Sequence, residues 1–319
     1  MQILRDPVPC PRPERGTVVT IGAYDGVHRG HEAVIARVRE LAADRGMATA
    51  VVTFDRHPAS VVRPESAPPL LTDLDQKLEL LAATGVDFAR VIEFDEARSK
   101  EPADEFVRED LVGCLNAKVI VVGEDFHFGH KRSGNVEVLR ALGAELGFDV
   151  QPLELVGVDG VPALDEAKKV SSTAIRALVI EGDVEAAGDL LGRPYEVRGT
   201  VGHGDEKGRE LGFPTANLEV PDEICLPADG VYAGWYVRPD GRRHACAISL
   251  GRRPTFYDDQ PYSLLEAHLL DFDGDLYGEA ARVQFTDRLR GQLKFESVDE
   301  LVEQMALDCD RAARLLATS

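Results

Sequence analysis

No apolar run in this chain of 319 residues approaches the length needed to span a bilayer, and its opening, MQILRDPVPC, lacks the apolar stretch of a secretory signal. Membrane association is therefore not expected. Basic residues are few beside acidic ones, 36 against 56, which leaves a formal net charge of -20. Nucleic acid and acidic lipid would both be repelled, so an anionic substrate has to be gripped by local N–H groups, Arg, Lys or Mg²⁺. Cysteine is sparse: Cys10, Cys114, Cys225, Cys246 and Cys309 are odd in number and form no C-x-x-C. That spacing points to neither a disulfide framework nor a zinc site, and predicts reduced structural thiols in a cytoplasmic protein. Two common nucleotide signatures are missing too, since neither G-x-G-x-x-G nor G-x-x-x-x-G-K-[ST] follows the first predicted strand. There is no internal repeat and no low-complexity segment.

At 44% hydrophobic and 29% charged residues, the chain is predicted to be globular and long enough for two domains with separate cores. The first is organised around TVVTIGAYDGVHRGH, Thr17 to His31. Its β-branched run from Thr17 to Ile21 predicts a buried strand, ended by Gly22 and followed at once by a helical pattern. The turn between them brings Asp25, Gly26, His28, Gly30 and His31 to a helix start, where unpaired N–H groups and the positive end of the dipole favour an anion. His28 and His31 are one helical turn apart, and Gly30 between them lets a ligand approach the backbone. Two adjacent imidazoles can donate to a phosphate whose charge grows in a transition state. Alone, the pair fits surface loop histidines equally well.

Val34, Ile35, Val38, Leu41 and Ala42 then recur at helical spacing before Gly46, and 48–54 is a second predicted strand running into the polar turn Asp55-Arg56-His57-Pro58. Open α/β sheets place ligands at such strand ends, which makes His57 a candidate site residue as well as an ordinary loop histidine. A helix is expected from Thr72, a strand over 88–92, a helix with Pro102 at its first position, and a strand over 118–122. This alternation predicts a doubly wound parallel sheet. The glycine loop from Gly123 to Gly134, with Asp125, Phe126 and Phe128, should then lie along the same edge as the first loop; the two phenylalanines also suit loop anchors. In Val170-Ser171-Ser172-Thr173-Ala174-Ile175-Arg176, the hydroxyls can cap a helix and the arginine one turn inside it has a fork of donors suited to phosphate.

Past Gly192 and Pro194 the texture changes, and a division into 1–186 and 187–319 is expected. Short alternating runs at 195–201, 230–237, 244–250, 264–270 and 281–285, separated by turns at Pro239-Asp240-Gly241 and Asp273-Gly274-Asp275, predict an antiparallel barrel or sandwich. Ser297 with Glu300 forms a capping box that opens a terminal helix. Gly199, Gly202, Gly204 and Gly208 make a region with exposed N–H groups suited to phosphate, or an ordinary hairpin. Thr215 and Asn217 lie two apart, on one face of a strand, where they can meet Mg²⁺ or phosphate together. Glu266 interrupts an apolar strand; it is either an outward strand residue or a base that accepts a hydroxyl proton.

These strings resemble known families. GAYDGVHRGH resembles the signature of the H-x-G-H adenylyltransferase superfamily in the form of its flavin-nucleotide branch, which implies catalytic roles for His28 and His31 and nucleotide binding by Gly22, Tyr24, Asp25, Gly26 and Gly30. The Gly123 loop is similar to that family's VG-x-[DN]-F-x-FG-x-x-R-x-G motif, implying flavin contacts at Asp125, Phe126 and Phe128, joined by His57 in the TFD-x-HP string. VSSTAIR resembles I-S-S-T-x-[IVL]-R, whose equivalents here, Ser171, Ser172, Thr173 and Arg176, would hold the triphosphate. GRELGFPTAN is similar to the riboflavin kinase motif GR-x-LGFPTAN, implying ATP or flavin contacts at Gly202, Gly204, Gly208 and Arg209, and Mg²⁺ and ATP ligation by Thr215 and Asn217. The segment around Glu266 resembles E-x-H-[LIV]-[LF]-D-F, which makes Glu266 the implied catalytic base. GRRPTF around Pro254 also fits, whereas Gln292-Leu293 replace an expected acidic residue before Lys294.

Over nearly its full length the chain resembles the bacterial bifunctional riboflavin kinase and FMN adenylyltransferase family. The resemblance implies an α/β nucleotidyltransferase sheet followed by a β-barrel kinase with a C-terminal helix. It implies ATP- and Mg²⁺-dependent phosphorylation of riboflavin to FMN, then adenylylation of FMN to FAD with release of pyrophosphate. A homo-oligomer is left open. The competing readings are an adenylyltransferase for another phosphorylated substrate with a non-catalytic flavin-binding second domain, and a flavin storage protein.

Overall fold

Thr17–Ile21 is a strand with every residue buried, at the centre of a parallel sheet, in a computed structural model that describes residues 1–5, 10–153, 170–204, 207–253 and 262–317. The motif residue Pro254 lies outside the described residues. Chain contacts divide the structure into two compact units, Met1–Ser172 and Thr173–Ser319.

The first unit holds strands β1 (Gln2–Arg5), β2 (Thr17–Ile21), β3 (Ala48–Phe54), β4 (Phe88–Ile92), β5 (Ala117–Gly123) and β6 (Asp149–Leu153), hydrogen-bonded in the order β1-β4-β3-β2-β5-β6. All pairs are parallel. Its helices are α1 (Arg29–Arg45), α2 (Pro58–Val62), α3 (Leu74–Ala83), α4 (Glu96–Ser99), α5 (Ala103–Phe106), which continues in π-type turns over Val107–Cys114, and α6 (Val136–Leu146). Successive strand residues face opposite ways. Val18, Val119 and Val121 pack on Val38 and Leu41 of α1, while Val19, Val52 and Ile120 pack on Phe106, Leu111 and Leu139 from the other side. A sheet covered on both faces needs apolar residues at every position, which is why the runs are unbroken rather than alternating. The winding reverses beside β2: β3 and β4 lie on one side of it, β5 and β6 on the other. The crevice outside the carboxyl ends of β2 and β5 is therefore the topological switch point, the ligand position of open α/β sheets.

The second unit contains α7 (Ser172–Glu181), whose first residue closes the first unit, and α8 (Val184–Leu191). It goes on with strands β7 (Tyr195–Gly202), β8 (Ala216–Glu219), β9 (Gly230–Val237), β10 (Arg243–Arg253), β11 (Tyr262–Leu269) and β12 (Ala280–Arg290), the short α9 (Lys207–Glu210) and the terminal α10 (Val298–Leu316). The strands close into an antiparallel barrel in the order β10-β11-β8-β7-β12-β9, which resolves the choice between barrel and sandwich. Tyr232, Tyr236, Ile248, Leu265 and Phe285 fill the buried core. Ser297 caps α10, and Arg290 holds the helix by a bidentate pair with Asp308. Among the described residues no helix is long and apolar enough to cross a membrane.

Several expectations are corrected. Cys10 and Cys114 form a disulfide with Cα atoms 4.7 Å apart, so these two are not the reduced thiols predicted. Their separation of 104 residues leaves no spacing motif; the fold brings them together, with Arg12 N–H donating to the Cys114 carbonyl at 3.0 Å. Asp73, not Thr72, caps α3, because the Thr72 hydroxyl is engaged with Asp25. Pro102 precedes α5 rather than opening it. Strands β1, β6 and β8 carry no strong run: the first two are edges, one with a single buried residue, the other containing Pro152.

Arg90 of β4 and Asp110 form an ion pair at 2.9 Å with side chains 4% and 2% exposed, and Asp110 also binds Arg98. Removing one partner of such a pair strands a buried charge. Asp110→Ala should destabilise the first unit by about 3–5 kcal/mol, read as the shift of its transition in denaturant.

Candidate active sites

Both histidines of the first loop sit where the switch point requires. His28 caps α1, and its Nδ1 accepts the His31 backbone N–H at 3.3 Å, while the Nδ1 of His31 accepts the His28 N–H at 3.3 Å. A backbone N–H can only be a donor, so each ring uses its Nδ1 lone pair and, when neutral, carries its proton on Nε2. The rings stack, centroids 3.6 Å apart, with Tyr24 behind His31 at 4.8 Å. His57 repeats the device, its Nδ1 accepting from Ala59 N–H at 3.1 Å at the start of α2.

The loop is held in an unusual backbone. Tyr24, Gly26 and Val27 have φ of 52°, 83° and 38°, and for a β-branched residue that is strained by about 1–3 kcal/mol. Burial of the Val27 side chain, 1% exposed, offsets it by a similar amount, about 1.5–3 kcal/mol. The Tyr24 hydroxyl lies 2.8 Å from Thr20 Oγ1, and its burial pushes the phenol up from its ordinary range. The Asp25 carboxylate accepts from the N–H groups of Leu71 at 2.9 Å and Thr72 at 3.1 Å, so it secures the loop from below. Ser172 Oγ donates to the Asp25 carbonyl at 2.9 Å, bringing the SST segment to the same loop. A Cβ at Gly30 would lie 3.1 Å from the His28 ring and 3.2 Å from the Val170 carbonyl, hence glycine there. Thr173 and Arg176, the latter 7% exposed, belong to the second unit.

In the loop after β5, Phe126 and Phe128 stack at 5.4 Å, and Phe128 reaches Phe106 of the core at 5.9 Å, so the anchor role is observed. Asp125 is exposed. In the loop after β3, burial pushes Asp55 up, but hydrogen bonds from Arg56 and from the Phe94 N–H outweigh it and hold the carboxyl below its usual range. A cavity of about 530 Å³ is lined by Glu93, Asp95, Glu101, Glu105 and Glu109 with Arg98 and Lys100; its carboxylates would repel a nucleotide.

In the barrel, Asn217 pairs with Glu266 across β8 and β11, and Glu266 pairs with Ser249 across β10. These half-buried residues alternate with buried Leu218, Leu265 and Leu250, so the row faces outward. Asn217 Oδ1 is shut off from solvent and accepts no hydrogen bond among the described residues. The chain at Gly204 lies on that amide: a Cβ there would be 2.4 Å from Asn217 Nδ2. Arg209, Thr215, Phe272 and the turn Asp273–Tyr277 line an adjoining cavity of about 140 Å³. Lys77 was not marked by any motif, and His268, the histidine of the E-x-H string, was given no role there. The former is a buried lysine on α3; the latter faces the Pro214 carbonyl through Nδ1 at 2.8 Å.

A switch-point sheet with a histidine-capped helix start, followed by a closed barrel with an outward Asn–Glu row, fits an adenylyltransferase joined to a kinase. The FAD synthetase family matches residues 10–174 and the riboflavin kinase family residues 191–316. The chain is 35% identical to the bifunctional riboflavin kinase/FMN adenylyltransferase of Haemophilus influenzae over 98% of both chains. It is 39% identical to that of Listeria monocytogenes over 91% of this chain and 90% of the relative. A crystal structure described as a macrolide-efflux protein from Streptococcus pneumoniae superposes with a TM-score of 0.83 at 30% identity, covering 98% of this chain and 99% of that one. The chain belongs to the bifunctional riboflavin kinase/FMN adenylyltransferase family: it uses ATP to phosphorylate riboflavin to FMN and to adenylylate FMN to FAD.

Gly204→Ala would press a methyl group on the Asn217 amide. FMN formation should fall by about 10²-fold, the scale of a misplaced ligand, with conversion of added FMN to FAD unchanged when flavins are resolved by chromatography.

Proposed function

We propose that adenylyl transfer occurs at the carboxyl ends of β2 and β5 and riboflavin phosphorylation on the outward face of β8 and β11, with the functional division at 1–186 and 187–319. The observation that carries the first assignment is the reciprocal capping of His28 and His31. It supports two neutral imidazoles whose Nε2–H groups donate to the phosphates as charge builds on the leaving pyrophosphate. A phosphate oxygen of FMN attacks the α-phosphorus of ATP and pyrophosphate departs, so no protein nucleophile is needed and catalysis is positioning plus charge stabilisation. Gly22, Tyr24, Asp25, Gly26 and Gly30 shape the nucleotide loop, Ser171, Ser172, Thr173 and Arg176 meet the triphosphate, and His57, Asp125, Phe126 and Phe128 meet the flavin. The Asp25 part in this is indirect, since its carboxylate is engaged by Leu71 and Thr72.

At the barrel, Glu266 accepts the proton of the riboflavin hydroxyl as its oxygen attacks the γ-phosphorus and ADP leaves. The donor set fits Mg²⁺: Asn217 Oδ1 is a hard oxygen with no hydrogen-bond donor among the described residues, and Thr215, with a second hard oxygen, stands just ahead of β8 rather than within it. Bound there, the ion would neutralise charge on the ATP phosphates. Gly202, Gly204, Gly208 and Arg209 border that space. Use of ATP at both sites supports a cytoplasmic setting, and the net charge of -20 argues against a nucleic acid partner.

His31→Ala should cut conversion of FMN to FAD by roughly 10²–10³ while sparing FMN formation. Glu266→Gln should lower riboflavin phosphorylation by about 10²–10⁴ and leave FAD formation from FMN intact. One assay reads both, with riboflavin or FMN, ATP and Mg²⁺, flavins separated by chromatography. Equal loss of both products in either variant refutes the two-site division.

A further inference from the structure

The ammonium of Lys77 lies between the two loops assigned to the adenylyltransferase site. The residue is 6% exposed, on α3, and its Nζ donates to the Phe54 carbonyl at 2.6 Å and to the Ala23 carbonyl at 3.3 Å. Phe54 is the last residue of β3, directly ahead of Asp55 to His57. Ala23 is the second residue past β2, directly ahead of Tyr24 to His31. Carbonyl oxygens at the ends of neighbouring parallel strands share one sign of partial charge, and a cation between them converts their repulsion into a common attachment. Thr53 Oγ1, one residue before Phe54 on β3, also donates to the Ala23 carbonyl at 3.1 Å. The start of the same helical segment grips the first loop again: Gly26 N–H donates to Thr72 Oγ1 at 3.1 Å, and Leu71 and Thr72 donate to the Asp25 carboxylate.

We propose that Lys77 is a positioning residue for adenylyl transfer, whose ammonium ties the loop of His28 and His31 to the loop of His57 and thereby sets the spacing between the nucleotide-holding and flavin-holding groups. The inference rests on both loops belonging to that site. Lys77 acts through the two carbonyls, and no contact with substrate is required of it.

Holding a charge in this place has a cost that makes the role measurable. Burial pulls the ammonium down to about 8, against the opposing pull of the charged groups that face it, Asp25 from the loop after β2 and Asp55 from the loop after β3. Above that pH the side chain is a neutral amine with fewer donors, and the attachment weakens. Arginine keeps its charge throughout this range and can donate to two carbonyls at once.

The test uses the full-length enzyme with ATP and Mg²⁺, following FMN to FAD and, in parallel, riboflavin to FMN. Lys77→Gln should lower kcat/KM for FAD formation by about 10²-fold, the loss expected when reacting groups are misplaced by an ångström, and leave riboflavin phosphorylation unchanged. In the wild type, the KM for FMN should climb several-fold between about pH 7 and about pH 9.5, whereas Lys77→Arg should hold it level over that range. A merely structural lysine would not move that profile. Wild-type FAD formation in Lys77→Gln, or a wild-type KM that stays level with that of Lys77→Arg, overturns the proposal. Should Lys77→Gln fail to fold, the comparison of wild type with Lys77→Arg decides. Failure of His31→Ala to affect FAD formation would instead overturn the site assignment beneath it.

Discussion

At the mouth of α1 the backbone N–H of His28 meets the imidazole of His31, and that of His31 meets the imidazole of His28. A serine or aspartate would satisfy these orphan donors as well. Using two imidazoles instead leaves both Nε2 atoms for the phosphate role proposed above, with the tautomer set by the main chain. The rest of the first unit serves this arrangement. Tyr24 backs one ring, Gly30 leaves room beside the other, and the positive φ of Val27 turns the chain sharply enough to start the helix at the sheet edge. Strain there is tolerated because Val27 and Tyr24 are both anchored in the core between β3 and α3.

The second unit solves its problem without a helix mouth. Its strands turn apolar residues inward and present Asn217, Glu266 and Ser249 in one register row on the outside. A buried amide oxygen without a donor among the described residues would be a liability in a finished core. The contrast between the units is one of construction: a helix mouth capped by imidazoles in one, an outward row of amide, carboxylate and hydroxyl side chains in the other.

Much of this was legible in the chain itself. Strands buried on both faces leave unbroken β-branched runs, so β2, β3 and β4 were predicted within their observed bounds, and the helix stop at Gly46 follows from its left-handed conformation. The histidines stood out by their spacing at a helix start, and Glu266 because it interrupted an apolar run. What stayed hidden depends on long-range pairing. The edge strands β1 and β6 have little apolar signal because one side of each lacks a strand neighbour, and the Cys10–Cys114 bond joins positions that only the fold makes adjacent. Nothing in the sequence marks Lys77; its ammonium is held by carbonyls from just past β2 and from the end of β3. Glu266 could be read either way, and its position opposite Asn217 is visible only in the strand register.

That register row also separates two kinds of evolutionary freedom. Leu218, Leu265 and Leu250 point into the barrel, while Asn217, Glu266 and Ser249 on the same three strands point away from it. Lineages adapting to heat or cold can therefore exchange interior methyl groups to retune melting behaviour, volume for volume. Such drift leaves the outward amide and carboxylate opposite one another, provided no residue is inserted to slip the pairing.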